Sequence, residues 1–329
     1  MSMPTIGIVV HEPLRSQLFS VGDLERLGRL ARVKIYEGAG PMGQKEAATF
    51  LADCDAAIGS WGTPWPSGAV VSACPSLRLW VHAAGSVKRM FGPHLAGRGL
   101  TIASCAPAIA ENVAEMTLGC LIVGLKRILE NAAANRLGIA GKVPNARAVG
   151  GCTIGVIGAS QVGRRVIRNL RPLGGRILLF DPFVRPAEAA ELGAELRDDL
   201  VALCRESDAI TLHTPLLPAT TRMIGPTQLA ALRDDAVIVN TSRGGCVDEP
   251  ALITELEKGR FFAFLDVTDP EPAAPDSPLR RLPNVVLTSH IAGGPDHKIG
   301  RQAVDDVEAF FSGRSPAMVV TADMLDRLA

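Results

Sequence analysis

Short apolar runs alternate with segments of helical spacing along this 329-residue chain, in two separate series. The first series has strand-like runs at Thr5–Val10, Val33–Tyr36, Ala56–Ile58, Leu77–Val81 and Leu100–Ala103, with helical stretches such as Val21–Leu30 and Lys45–Ala52 between them. The second has Thr153–Ile157, Arg176–Phe180, Ala209–His213, Ala236–Asn240, Phe261–Asp266 and Val285–Thr288, with Gln161–Leu170 and Pro250–Lys258 among its helices. Such alternation predicts parallel sheets covered by helices. Two series, in a chain about twice a typical 150-residue domain, predict an α/β protein of two doubly wound parallel-sheet lobes.

Between the series, Glu111–Leu129 is apolar on most sides, which predicts a helix buried between lobes or subunits. The stretch Gly138–Gly151, rich in Gly, Pro and Asn, reads as a connection. After His290 the chain is too short for a domain, and Asp296–Phe311 reads as one helix that can return to the first lobe.

Lys plus Arg number 34 and Asp plus Glu number 34, so no net field draws the chain to nucleic acid or an anionic membrane. With aromatic residues at 4 %, a stacking platform for single strands is not expected either. The seven cysteines are scattered, odd in number and lack a C-x-x-C pair, which argues for a reducing compartment and against a disulfide framework or a metal site. Met1–Val10 has no basic leader and reads as a first strand. Met116–Leu125, the most apolar helical stretch, is about half as long as a membrane span. A cytoplasmic protein without nucleic-acid or membrane partners is expected.

The segment Thr153–Gly163 joins a strand to a helix through Gly158-Ala-Ser160-Gln161-Val162-Gly163. In a phosphate-binding turn the first glycine makes the bend, the second lets the backbone approach a pyrophosphate, and the third lets helix and strand pack closely. The helix N-terminus adds unpaired N–H groups and a positive dipole end. Ser160 holds the middle position here, and an incomplete glycine pattern is also an ordinary tight turn. Asp181, closing the next strand, shifts the balance, because an acid there accepts hydrogen bonds from an adenosine ribose.

Three polar segments close later strands: Asn240-Thr241-Ser242-Arg243-Gly-Gly, Asp266-Val-Thr-Asp269-Pro-Glu271-Pro, and Leu287-Thr-Ser-His290-Ile-Ala-Gly. Each taken singly is a surface ion pair or a satisfied core residue. Together they place Arg, Glu and His on the edge where open parallel sheets bind ligands.

These segments, with Gly158…Gly163, Phe180-Asp181-Pro182 and His213-Thr214-Pro215-Leu-Leu-Pro-Ala-Thr220, resemble the D-isomer-specific 2-hydroxyacid dehydrogenase family in order and spacing over about residues 105–293. Val81-His-Ala-Ala84-Gly85-Ser86-Val87 resembles, more weakly, the family's substrate-carboxylate loop. The resemblance implies a Rossmann NAD-binding domain at 105–291 and a smaller flavodoxin-like substrate domain made of 1–104 plus 292–329. It implies Arg243, Glu271 and His290 as the catalytic trio, acting on a small D-2-hydroxy acid or its 2-keto acid. It implies NAD held by Gly158, Ser160, Gln161, Val162, Gly163 and Asp181, by His213, Thr214 and Pro215, by Thr241 and Ser242, and by Asp266 and His290 near the nicotinamide. Substrate would meet Ala84, Gly85, Ser86, Arg243 and His290, and a homodimer is expected.

The chemistry is coherent. Hydride delivered to C2 leaves an alkoxide that needs a proton, which a histidine can give and take back. A carboxylate beside it favours the imidazolium and fixes the ring. An arginine offers a planar fork to the substrate carboxylate. Asp269 is the rival of Glu271 for the histidine.

The chain departs from the family at Ser160, at Thr268 where an aromatic residue is usual, at Ile109 where Asn is frequent, and at Val87 and Lys88 where an acid is usual. Lys88 and Arg89 either meet a second anionic group or form a solvated basic surface. Trp61 and Trp65 either face a cleft or pack on a core or surface. A catalytically idle, redox-sensing dinucleotide binder of the same fold is the alternative reading. Formate oxidation is disfavoured, because in that branch a glutamine partners the histidine.

Overall fold

Apolar strand runs such as Ile6–Val10 and Val237–Val239 are buried on both faces, as parallel strands between helical layers must be. A computed structural model describes residues 3–38, 40–139 and 144–327. The strands are β1 Thr5–Ile8, β2 Arg32–Ile35, β3 Ala56–Gly59, β4 Leu79–His82, β5 Thr101–Ser104, β6 Thr153–Ile157, β7 Arg176–Phe180, β8 Glu195–Leu196, β9 Ala209–Leu212, β10 Val237–Asn240, β11 Phe262–Leu265, β12 Val285–Leu287 and β13 Val319–Val320. The α-helices are α1 Leu14–Leu18, α2 Val21–Leu30, α3 Gln44–Phe50, α4 Gly68–Ala73, α5 Ala106–Leu125, α6 Ile128–Arg136, α7 Gln161–Leu170, α8 Pro186–Leu192, α9 Leu200–Glu206, α10 Pro226–Ala231, α11 Glu249–Glu257 and α12 His297–Phe311.

The chain forms two units. Unit 1 comprises the residues up to Ile109 together with those from Gly294 onward, and unit 2 comprises Ala110–Gly293. The sheet of unit 1 runs β13-β5-β4-β3-β1-β2, parallel except for β13. One of its faces buries Ile6, Ile8, Leu27 and Val81 with Ile299, Val304 and Val307 of α12, and the other buries Leu51, Val70, Trp80 and Met90. The helix α12 thus completes unit 1 from the far end of the chain. Its amphipathic spacing and Asp296 cap, whose side chain accepts from Lys298 N, fix that placement.

The sheet of unit 2 runs β12-β11-β10-β9-β6-β7-β8 and is parallel throughout. Strand order reverses between β6 and β9, so the turn after β6 opens at the switch point where doubly wound sheets bind ligands. Leu121 and Leu125 of α5 pack with Ile154, Val156, Ile167 and Phe264 on one face, while Leu178, Ile210, Ile238 and Leu252 fill the other.

Three expectations need correction. The predicted helix over 111–129 is two helices: α5 starts at Ala106 and ends at Leu125, and α6 begins at Ile128. Arg127 between them is left-handed at φ 55°. Its guanidinium bonds Glu130 and lies 2.7 Å from Asp235, and it stacks 4.1 Å over the Phe262 ring, which turns the chain out of the first helix. Second, the apolar helix is 20 residues, not ten, and is long and apolar enough by composition to match a membrane span. In unit 2 it is a core helix, with Ala114, Leu121 and Leu125 buried. Third, β8 and β13 were not foreseen. Each has two residues, too few to show a period. In the predicted connection 138–151, residues 140–143 lie outside the described residues.

Candidate active site

The turn after β6 is built by two glycines. Gly158 has φ +95°, and its N–H donates to Phe180 O at 2.8 Å. A Cβ on Gly163 would overlap the Gly158 carbonyl oxygen, so helix and strand approach more closely than any side chain permits. Ser160, the departure from the glycine pattern, has an ordinary extended backbone and caps α7, its Oγ accepting from Gly163 N at 3.4 Å. A small capping residue therefore fits where the pattern asks for glycine. Val162, the second residue of α7, lies partly buried on the unit 2 core.

Asp181 stands at the end of the adjacent strand. One carboxylate oxygen accepts from Ala159 N at 2.7 Å and the other from Phe183 N at 2.9 Å. The acid is thus held against the glycine turn itself. The two glycines, the capped helix start and the oriented acid fit a dinucleotide. Nearby, Arg164 donates from Nε to Ala159 O and pairs with Glu188 at 2.6 Å.

His213 ends β9 under this turn. Its ring is buried and its Nε2 sits 3.0 Å from Thr211 Oγ1; burial pushes its pKa down to about 3, so it is neutral. Its carbonyl and Cβ line the turn: a Cβ on Gly158 would meet His213 O at 3.0 Å, and one on Gly163 would meet His213 Cβ at 3.4 Å. Thr214 Oγ1 lies 3.6 Å from both Met223 Sδ and Cys246 Sγ, and Pro215 O accepts from Thr220 Oγ1 at 2.6 Å.

At the end of β10, Asn240 organises the next loop. Its Oδ1 accepts from Ser242 N and Oγ, and its Nδ2 donates to Arg243 O at 3.0 Å. Arg243 donates from Nη1 to Ser242 O at 2.7 Å and remains half-exposed. Thr241 is buried against α5. The single Thr117 hydroxyl proton goes to Val113 O, so Thr241 Oγ1 is the donor in their 2.9 Å contact.

At the end of β11, Asp266 is buried. Its Oδ1 accepts from Thr288 Oγ1 at 2.5 Å and Ile291 N at 2.8 Å, and its Oδ2 from Ala292 N at 2.9 Å. Its carbonyl accepts from His290 N at 2.8 Å. This clamp holds the 288–292 turn, with His290 left-handed at φ 55°. The His290 ring projects half-exposed, with Nδ1 2.5 Å from Glu271 Oε1. Asp269 makes no bond to His290 among the described residues: its N–H donates to Glu249 Oε2 at 2.9 Å, and its Oδ2 lies 3.6 Å from where a Gly245 Cβ would be. The structure thus pairs His290 with Glu271 and not with Asp269. Thr268 is buried, with Oγ1 donating to Pro270 O at 2.8 Å, so the absent aromatic residue is replaced by a bond that folds the Glu271 loop.

In unit 1, the loop after β4 carries Ala84, Gly85 and Ser86. Ser60 Oγ donates to Ala83 O at 2.7 Å, and Ser104 Oγ donates to Gly85 O at 2.6 Å. With these carbonyls held inward, the three amides of Ala84, Gly85 and Ser86 have no acceptor among the described residues. Ile109 packs over this loop, its Cδ1 3.7 Å from where a Gly85 Cβ would lie. Arg89 stacks 4.7 Å over the Trp65 ring, and Trp61 is surface-exposed.

Sequence reasoning missed Thr117, Thr288, Ser60, Ser104 and Glu249. For Ser104 and Thr288 the signal was present, a hydroxyl at or just past the end of a buried strand. Thr117 and Glu249 act through contacts far apart in sequence. Among the described residues no group of three or more His, Cys, Asp or Glu gathers as a metal site.

Residues 93–292 match the model of the NAD binding domain of D-isomer specific 2-hydroxyacid dehydrogenases. A glyoxylate reductase of Korarchaeum cryptofilum is 31 % identical over 314 residues, covering 92 % of this chain and 93 % of that protein. A D-3-phosphoglycerate dehydrogenase of Methanocaldococcus jannaschii is 31 % identical over 290 residues, 87 % of this chain; the chain spans about half the length of that relative, 53 %. In fold, the chain resembles the D-lactate dehydrogenase of Lactobacillus jensenii solved with NAD+, at a TM-score of 0.78 and 22 % identity, covering 96 % of this chain and 99 % of that one.

Proposed function

The chain belongs to the D-isomer specific 2-hydroxyacid dehydrogenase family, and from that premise we propose that it is an NAD-dependent oxidoreductase interconverting a small D-2-hydroxy acid and its 2-keto acid. The observation that carries this reading is the His290–Glu271 pair, mounted on the Asp266 clamp in the same unit as the glycine turn.

NAD(H) supplies or accepts the hydride at substrate C2. The chain's own residues do the rest. Gly158, Ser160 and Gly163 shape the turn that would present the α7 N-terminus to the phosphates, and Asp181 would accept from the ribose. Because Nδ1 of His290 faces Glu271, Nε2 is the nitrogen that faces substrate. In reduction it gives its proton to the C2 oxygen as hydride arrives, and in oxidation it takes the proton back. Glu271 favours the charged ring and fixes its orientation. Arg243 binds the substrate carboxylate through its planar fork. With its carboxylate held there and its C2 oxygen at His290, the substrate reacts as in an effectively unimolecular step.

A panel of 2-keto acids that includes glyoxylate and hydroxypyruvate, assayed with NADH, tests this reading. NADH oxidation with at least one of them supports it. NADH binding without turnover of any would favour the idle, redox-sensing binder instead.

A further inference from the structure

Glu271 lies in an exposed four-residue segment, Asp269–Pro272, between buried Thr268 and buried Ala273. An exposed segment does not hold a carboxylate at 2.5 Å from an imidazole unless something anchors it. The Arg243 loop provides the anchor. That loop is mounted rigidly on the strand-like segment 222–224: Arg222 N donates to Gly245 O at 2.8 Å, Ile224 N to Cys246 O at 3.1 Å, and Asp248 N to Ile224 O at 2.9 Å. Asp248 then caps α11, its Oδ1 accepting from Ala251 N at 3.1 Å, which sets Glu249 at the first turn.

Two features join this base to the Glu271 loop. A Cβ on Gly244 would overlap the Thr268 carbonyl oxygen, so the two backbones touch. From the other end Glu249 Oε2 accepts from Asp269 N at 2.9 Å. Of the two, only the second is a side-chain bond. Burial pushes the Glu249 carboxyl up, and the Asp269 charge adds to this. A half-buried acid beside a second carboxylate is costly at a surface loop end unless its bond to the loop is of use.

We propose that Glu249 is a positioning residue for the acid–base pair: by holding Asp269 N it fixes the loop that brings Glu271 onto His290. This inference rests on the reading of His290 and Glu271 given above. Among the described residues, the charged groups bonded to His290 and its turn are Glu271 and the buried Asp266, and the one beside Glu249 that raises its carboxyl is Asp269.

The test uses the full-length protein and two readouts. The first is the NMR resonance of the His290 Nδ1 proton, assigned by comparison with His290→Ala, which reports the bond to Glu271. It needs no substrate. The second is kcat for keto-acid reduction, with KM for NADH alongside. In Glu249→Ala the resonance should lose the shift that the carboxylate bond gives it, as in Glu271→Gln. Its kcat should fall by about tenfold to a hundredfold, the cost of misplacing a catalytic group, with KM for NADH unchanged. Glu249→Gln keeps an acceptor oxygen and should stay within about twofold of the parent in kcat. If Glu249→Ala does not fold, Glu249→Asp, which keeps the charge but shortens the reach, should show the same changes in smaller measure. A His290 Nδ1 proton resonance in Glu249→Ala or Glu249→Asp identical to the parent overturns the proposal. Damage in Glu249→Gln equal to that in Glu249→Ala overturns it too, because the bond would then not be what matters. A parent protein that reduces no keto acid would undo the proposed function, whereas an unmoved resonance undoes only this inference.

Discussion

His290 Nδ1 lies 2.5 Å from Glu271 Oε1, while Asp269, two residues earlier in the same loop, gives its amide to Glu249 on the opposite side. One acid meets the imidazole and the other does not. In the proposed reduction the ring gives its proton to the substrate oxygen, and the carboxylate bonded to Nδ1 holds it in the orientation that does so. kcat with NADH and a keto acid should therefore fall by about tenfold to a hundredfold in Glu271→Gln. Asp269→Asn should leave kcat near the parent value. The reverse pattern would reassign the partner.

Asp181 should select NADH over NADPH. Its carboxylate is held by Ala159 N and Phe183 N at the glycine turn, where an acid would accept from a ribose hydroxyl and repel a 2′-phosphate. The ratio of kcat/KM for the two cofactors checks this, and Asp181→Ala should narrow it. A preference for NADPH in the parent would mean that exposed Arg185, four residues on, outweighs the acid.

His213 should make unit 2 sensitive to acid. Burial holds it neutral, with its pKa lowered from 6.5 to about 3. A depressed folded-state value means that the unfolded chain binds the proton first. Stability is therefore complete above about pH 6.5 and declines as pH falls toward 3. Tm measured from pH 7 to pH 4 should fall less steeply in His213→Gln than in the parent. Equal slopes would place the acid sensitivity elsewhere, with buried His82 as the next candidate.

A homodimer is the expected assembly. Ile128 and Leu129 on α6 are 46 % and 49 % exposed, with Leu137 and Ile139 more exposed still just beyond the helix, and a second copy would cover this apolar surface. Light scattering should give twice the chain mass, and Ile128→Glu with Leu129→Glu should give a monomer. A parent monomer at micromolar concentration contradicts the assignment.

The strands were legible because parallel strands buried on both faces are unbroken apolar runs, as in Val237-Ile-Val and Ala209–Leu212. The trio Arg243, Glu271 and His290 was legible as polar residues closing such runs. Residues whose use depends on a distant partner were not. Asp266 read as a residue near a nicotinamide; in the fold its carboxylate is spent on the turn that carries His290. His213 read as a cofactor ligand, yet its ring points into the core. Ser160 read as a defect and is a helix cap. The break at Arg127 depends on Asp235 and Phe262, more than a hundred residues away, and no local pattern announces it.

In the proposed NAD-linked reduction of a 2-keto acid, His290 carries the proton. This is measured by kcat for NADH oxidation by parent and His290→Ala on the best keto acid of the panel, with NADH Kd determined on both. A loss on the order of 10²–10⁴ in kcat, the usual share of general acid catalysis, is expected at unchanged NADH Kd. Near-parental kcat in His290→Ala would contradict it.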